Sequence, residues 1–254
     1  MINELANPQR FERWARPTIP ALFALTVLLA GPGLYLGLFA SPADYQQKET
    51  VRIMYVHVPA AWLAMMSYTS MAIASVVGFV WKHPLADVSA KSIAPIGAVF
   101  TALALITGAL WGKPTWGTWW VWDARLTSVL ILLFLFLGYM AIWEAIEDKT
   151  RAARIAAIVA IVGFVNVPII KFSVDWWNSL HQPASVIRAD GPSIHPSMLT
   201  PLLLMAFAYM TLFGALVLQS MRDELVARRV VRLERRSSEA ADNAGGGVSE
   251  LKPV

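Results

Sequence analysis

Five of the eleven tryptophans fall within twelve residues, at Trp111, Trp116, Trp119, Trp120 and Trp122, and Asp123 and Arg125 follow directly. Each indole presents a wide apolar face and one N–H that needs a partner, so a cluster this dense suits a flat, large, mostly apolar ligand. A porphyrin meets that description. Two histidines bracket the cluster in chain order. His57 sits in Met54-Tyr55-Val56-His57-Val58-Pro59-Ala60-Ala61-Trp62, and His181 in Trp176-Trp177-Asn178-Ser179-Leu180-His181-Gln182-Pro183. Haem iron accepts axial imidazoles, and one from each side gives a closed, six-coordinate site. Arg125 then suits a propionate, because a guanidinium pairs with a carboxylate. Asp123 suits an imidazole or indole N–H.

Each of these readings has a structural competitor. Tryptophan belts anchor helices at the membrane interface, which covers Trp14, Trp81 and Trp143 but leaves five in twelve residues unexplained. A lone histidine at a helix end commonly serves as a hydrogen-bonder. That alternative stands for His57 and His181, and is favoured for His195 beside Pro196. Asp123 has a second use as the N-cap of the following helix, with Thr127 and Ser128 as rivals.

The elements that must position these residues are apolar runs. Hydrophobic residues make up 57% of the 254, charged residues 15%, and the mean hydropathy is +0.53. The apolar residues come in runs of membrane-spanning length: Ile19–Ala40, Met54–Trp81, Ile93–Trp111, Ser128–Ala145, Ala152–Ile170 and Leu199–Gln219. Only helices or closed barrels satisfy their backbone in lipid, so the expected fold is all-α, an integral membrane bundle of six transmembrane helices with a Trp-rich outer loop. Its expected organisation is an N-terminal segment 1–18, a membrane domain 19–220 carrying the Trp-rich loop 111–127, and a basic tail 221–254. The tail reads as an amphipathic helix over Arg222–Arg236 followed by a disordered Ser, Gly and Ala stretch. Gly31-Pro32-Gly33 in the first run, and Asn166 with Pro168 in the fifth, predict kinks or breaks. The first run follows Arg10, Arg13 and Arg16 but exceeds a signal-peptide core, so it reads as retained.

Lys and Arg set the orientation. With the N-terminus inside, 15 of the 21 fall in inner segments, so both termini are expected on the cytoplasmic side and the Trp-rich loop outside. His83, in Lys82-His83-Pro84, then lies on the inner side. The net charge of +4 resides mostly in the tail and implies no nucleic acid. The chain has no cysteine, which excludes disulfides, iron–sulfur ligation and a C-x-x-C-H attachment site; any haem is held by coordination and packing. No phosphate-binding Gly loop is present, so P-loop ATP chemistry is excluded.

The run Trp116-Gly117-Thr118-Trp119-Trp120-Val121-Trp122-Asp123-Ala124-Arg125-Leu126-Thr127-Ser128 resembles the WWD signature of the haem-handling proteins of cytochrome c maturation. Its Asp-x-Arg-Leu-Thr ending is similar to that of the cytochrome c maturation protein C family, also called haem exporter protein C. The longer relatives usually continue Asp-Pro-x-Glu. The resemblance covers nearly the whole chain, apart from the N-terminal residues and the tail after Arg222. It implies that haem b is bound transiently and without a covalent bond, at the outer face of the bacterial inner membrane. It implies His57 and His181 as axial ligands. Trp116, Trp119, Trp120, Trp122 and Asp123 become the haem-contacting loop, with Gly117 and Arg125 as further matched positions. The implied partners, besides membrane lipid, are the periplasmic haem chaperone, maturation protein E, and the ABC-type transporter complex of maturation proteins A, B and D. The implied role is promotion of haem attachment to that chaperone rather than conventional enzyme catalysis.

Two other classes compete. A b-type membrane cytochrome usually places histidine pairs in facing helices at membrane depth, and would leave the Trp loop without a role. A haem channel or secondary transporter marks its path with ionisable residues inside the spans, where Glu144 is the notable one. For orientation, a topology reporter inserted at Trp120 is expected to read the outer side and one at Glu147 the inner side; the reverse pattern would overturn the assignment.

Overall fold

The computed structural model describes residues 7–246 apart from 178, 183, 184 and 187, with side chains described up to residue 240. The first six residues of the expected N-terminal segment and the last eight of the tail lie outside the described residues.

Seven α-helices account for most of the chain: α1 Pro8–Tyr35, α2 Met54–Trp81, α3 Pro84–Trp116, α4 Ala124–Ala145, α5 Lys149–Gly163, α6 Asn166–Trp176 and α7 Pro196–Gly246. Among the described residues there is no strand, only an isolated antiparallel bridge between Asp44 and Lys48. Six helical stretches are long and apolar enough to cross a membrane: Pro8–Ala40, Glu49–Trp81, Pro84–Trp116, Ala124–Ala145, Lys149–Trp176 and Pro196–Ala240. The chain is a multi-pass α-helical membrane protein. The spans overlap the apolar runs of the sequence and extend beyond most of them, because polar residues continue a helix once it leaves the apolar layer.

The two places flagged for distortion are distorted. Past Pro32, α1 widens into a π-turn over Leu36–Ala40, as proline removes one backbone donor and crowds the preceding turn. The fifth span breaks at Phe164 and Val165, so that α5 and α6 are separate helices. Buried Asn166 ties the break to α4 by donating from Nδ2 to the Ser128 carbonyl at 2.8 Å.

Packing rests on small residues. In lipid there is little hydrophobic drive between helices, so association depends on close van der Waals approach. The buried positions of α5 are Ala152, Ala156, Ala157, Ala160 and Gly163. Those of α3 include Ala90, Ala94, Gly97, Ala98, Thr101 and Ala104. Large rings fill the space these leave: Tyr68, Phe136 and Tyr139 are almost fully buried, and Tyr68 meets Phe136 edge-on with centroids 5.1 Å apart.

Three details differ from the sequence reading. The Trp-rich segment is not one loop: α3 runs through Pro114 to Trp116, the connection is confined to 117–123, and α4 begins at Ala124. Trp143 is buried under the ammonium of Lys91, 5.2 Å from its ring centre, instead of anchoring at an interface. The tail helix does not stop near Arg236; α7 continues through Gly246, making it roughly 76 Å long at 1.5 Å per residue. At the end of the bundle opposite the Trp-rich connection, Glu224 of α7 takes Lys91 and Arg228 at 2.7 Å each, and Arg222 pairs with Glu12 of α1 at 2.9 Å.

Close approach gives the testable consequence. A Cβ at Gly97 would collide with the Phe136 ring and lie 2.9 Å from the Ser67 Cβ, whereas one at Gly138 would meet nothing within 4 Å. Gly97→Val is expected to cost about 1–3 kcal/mol or more by overpacking, read as a lower Tm in detergent. Gly138→Ala is expected to be neutral or slightly stabilising, since Ala is the better helix former.

Candidate functional site

The termini of α3 and α4 set the geometry. α3 ends where Gly117 adopts φ 79°, a left-handed conformation that glycine accepts without a Cβ penalty. Its amide closes the last turn on the Lys113 carbonyl at 3.0 Å. Pro114 lies inside this turn, and the hydroxyl of Thr115 donates to the Trp111 carbonyl at 2.8 Å. Six positions after Gly117, Asp123 opens α4. Its Oδ1 accepts from the Leu126 amide at 2.8 Å, an N-cap bond. Thr127 and Ser128 do not take that role; the Ser128 hydroxyl donates back to the Ala124 carbonyl at 2.6 Å.

The other oxygen of Asp123 does different work. Oδ2 lies 3.0 Å from Nδ1 of His181 and accepts from the Ser179 hydroxyl at 2.5 Å. Ser179 Oγ is itself 3.0 Å from the same Nδ1. Both readings of Asp123, cap and histidine partner, therefore hold at once, one oxygen for each. Burial alone would raise the Asp123 carboxyl, but bonds from Ser179, Leu126 and His181 outweigh it and hold the group below the usual carboxylate range. Burial pushes His181 below the ordinary histidine value, with Asp123 opposing that shift and Arg125 adding to it. At neutral pH the imidazole is uncharged, its Nδ1 is engaged, and Nε2 remains as the free nitrogen.

His57 is held in the same way by a different group. It lies in the first turn of α2, with Nδ1 3.0 Å from the Thr107 hydroxyl of α3. Thr107 donates onward to the Leu103 carbonyl at 2.6 Å. Gly108 makes room for this approach, since a Cβ there would stand 3.0 Å from His57 Cε1. Each imidazole also has an indole edge-on: Trp111 against His57 with centroids 5.6 Å apart, and Trp116 against His181 at 4.7 Å. These are not the tryptophans adjacent in sequence. Trp62 instead lines the nearby cavity, and Trp176 and Trp177 are exposed, Trp176 stacked on Phe172 and Trp177 edge-on to Trp176.

His57 and His181, 124 positions apart in the chain, line one partly open cavity of about 270 Å³. Trp116 and Arg125 line it too, and its remaining wall is mostly apolar, drawn from α2, α3, α4 and α6. Arg125 donates from Nε to Ser173 at 3.2 Å. Lys171 and Asp175 of α6 complete the polar part of the lining. The other matched positions stand apart from the cavity wall. Trp119 and Trp122 are exposed, Trp119 with Lys113 above its ring. Trp120 packs edge-on to Trp122 at 5.4 Å, and its buried Nε1 has no hydrogen-bond partner. Gly117 acts through the backbone alone. His195 is exposed and bonded to Ser197, away from the cavity.

Sequence reasoning missed Thr107, Ser179, Gly108 and Lys171. Nothing marks the first three in the one-dimensional pattern, because a hydroxyl or a glycine earns its place by what it faces. Lys171 carried a signal, a lone cation in an otherwise apolar stretch beside a helix break. Among the described residues no three His, Cys, Asp or Glu side chains cluster as a bare-ion site requires. The two imidazoles and the apolar wall fit a metal carried in a flat apolar macrocycle instead.

Fold and site together define a class: multi-pass helical membrane proteins with an apolar, paired-imidazole cleft beside a tryptophan-rich connection. The family described as heme exporter protein C matches residues 1–236. The chain is 58% identical over 231 residues to heme exporter protein C of Bradyrhizobium diazoefficiens, covering 91% of this chain and 88% of that one. It is 49% identical over 225 residues to the Haemophilus influenzae protein of that name, covering 89% and 92%, and 46% identical over 222 residues to the Escherichia coli K12 protein, covering 87% and 89%. The chain belongs to the heme exporter protein C family.

Removing the Asp123 charge separates its two functions. In Asp123→Asn the cap bond to Leu126 survives, while His181 loses the anion that favours its protonated form. Its pKa is therefore expected to fall further, measured by NMR titration of labelled histidine in detergent. Loss of such a ligand-orienting partner is expected to weaken ligand binding roughly 10–100-fold.

Proposed function

We propose that this chain binds haem b, transiently and without a covalent bond, between His57 and His181. We further propose that it presents the haem to a periplasmic haem chaperone, maturation protein E, for the biogenesis of c-type cytochromes. The observation that carries the reading is the pair of imidazoles on one apolar cavity, each with Nδ1 occupied by a hydroxyl or carboxylate and Nε2 left over. Metal-bound histidines characteristically give their second nitrogen to such a partner, which sets tautomer and ring orientation. Names support it as well: the relatives are called heme exporter proteins.

In this reading Trp116 borders the macrocycle and Arg125 takes a propionate, with Lys171 available to the second. Trp119, Trp120 and Trp122 contact the exposed part of the haem. Asp123 holds His181, and Gly117 ends α3 so that Trp116 stays beside it. The site faces the periplasm and both termini the cytoplasm of the bacterial inner membrane, in accord with the Lys and Arg distribution. Maturation proteins A, B and D supply the transporter complex in which it works. Holding iron by two neutral imidazoles suits an intermediary, since an exchangeable bond lets the cargo leave while the lack of cysteine precludes thioether capture.

Absorption spectra of the purified protein, alone and with its chaperone, test this for wild type, His57→Ala and His181→Ala. Wild type is expected to show six-coordinate haem bands and to support covalent loading of the chaperone; both variants are expected to lose the bands and the loading. Unchanged bands in both variants would remove the ligands from these positions.

A further inference from the structure

The segment between the π-turn and α2, residues 41–53, has no part in the site as described, yet it is built tightly. At its start the Ser41 hydroxyl and the Tyr55 phenol hydrogen-bond at 2.5 Å, and Arg52 donates to the Gly37 carbonyl at 3.2 Å. In the middle Asp44 organises a turn: its Oδ1 accepts from the amides of Gln46 and Gln47 at 2.9 and 2.7 Å. Its backbone pairs with that of Lys48 in both directions, at 3.2 and 2.9 Å. Lys48 takes φ 53° and ψ −134°, a combination that a residue with a Cβ adopts only when its surroundings over-determine it. Such strain is maintained where a neighbouring group must be aimed.

The group aimed is Gln47. It is half-buried while Gln46 and Lys48 on either side are exposed. Its Oε1 accepts from the indole Nε1 of Trp111 at 2.8 Å. That indole is the ring lying edge-on to His57. It also packs into the small apolar cluster formed by Val51, Met54 and Tyr55 with Met198, Leu202 and Met205 of α7. His57 is thus confined on two sides. Thr107 holds its Nδ1, and Trp111 limits the rotation of its ring plane, with Trp111 pinned in turn by Gln47.

We propose that Gln47 is a positioning residue for His57, acting through Trp111 to fix the plane of the imidazole that faces the cavity. The proposal rests on the haem reading given above and assigns a purpose to the strained turn. A freely rotating imidazole spends only part of its time with Nε2 directed at an iron. A held one presents the lone pair continuously and sets the angle between the two axial ring planes.

The test uses the full-length protein in detergent, titrated with ferric haem, for wild type, Gln47→Leu, Gln47→Glu, Trp111→Phe and the Gln47→Leu/Trp111→Phe double variant. Readouts are the haem Kd and the low-spin electron paramagnetic resonance signal, which responds to the angle between axial imidazole planes. Gln47→Leu is expected to weaken binding roughly 10–100-fold, the range for lost outer partners of metal ligands, and to shift or broaden the resonance. Trp111→Phe keeps a ring beside His57 but no N–H, and is expected to do the same. The double variant is expected to be no worse than either single, because both remove one interaction. Gln47→Glu keeps an acceptor at the same reach and is expected to retain the wild-type signal.

A Gln47→Leu protein indistinguishable from wild type, losses that multiply in the double variant, or a Gln47→Glu protein as impaired as Gln47→Leu would each overturn the proposal while leaving the haem reading intact. Wild type that binds no haem, or His57→Ala that keeps six-coordinate haem, would overturn both. Should Gln47→Leu fail to fold, Gln47→Glu and Trp111→Phe decide the matter, the first expected near wild type and the second impaired.

Discussion

An imidazole can present one nitrogen in a defined direction only if the other is held, and the arrangement of this protein's Trp end follows from that constraint. Two rings are held, each from a different part of the chain. His181 lies outside any helix, so its hold is elaborate: a carboxylate and a hydroxyl converge on Nδ1. His57 sits on a helix, and its Nδ1 meets one hydroxyl from the neighbouring helix. The carboxylate is in turn made reliable by capping α4, because an N-cap side chain is fixed by the backbone it serves. One residue thereby couples the start of a membrane helix to the tautomer of a histidine 58 positions away.

The bundle supports this with ordinary membrane packing. Alanine, glycine and serine at the contacts of α2, α3 and α5 bring backbones close, which in lipid is the main source of attraction between helices. The break between α5 and α6 is the exception. It interrupts the fifth span near the cavity, and α6 then supplies Ile170, Lys171, Val174 and Asp175 to the cavity wall. A continuous helix would follow one line across the span; two short ones let the second half follow its own. Asn166, just past the break, ties the start of α6 to the Ser128 carbonyl of α4.

The tryptophans divide into two working groups. Trp111 and Trp116 are helical, and each borders a histidine. Trp119 and Trp122, in the connection, are exposed, which leaves wide apolar faces uncovered there. The end of α3 separates the groups, and Gly117 marks the division because only a residue tolerant of positive φ can turn the chain there.

Much of this was legible in one dimension. Six spans, the distortions near Pro32 and Asn166, and the interest of His57, His181 and the Trp segment all follow from residue type and local order, because lipid imposes a length and an apolarity that composition records directly. Where α3 ends was misjudged, since tryptophan and proline near a helix terminus look alike whether inside the last turn or beyond it. Trp143 was misread because a tryptophan near the end of a span looks the same whether it faces lipid or a lysine on another helix. Asp123 apart, the polar partners around the histidines were out of reach: Thr107, Ser179 and Gln47 are commonplace residues whose meaning comes from what they touch. Sequence alone determined that there would be a helical membrane bundle with histidines on either side of an indole cluster. Which nitrogen of each imidazole is tied, and that both rings border a single cavity, was decided by tertiary structure, because hydrogen bonds and cavities belong to pairs of segments and no segment encodes its partner.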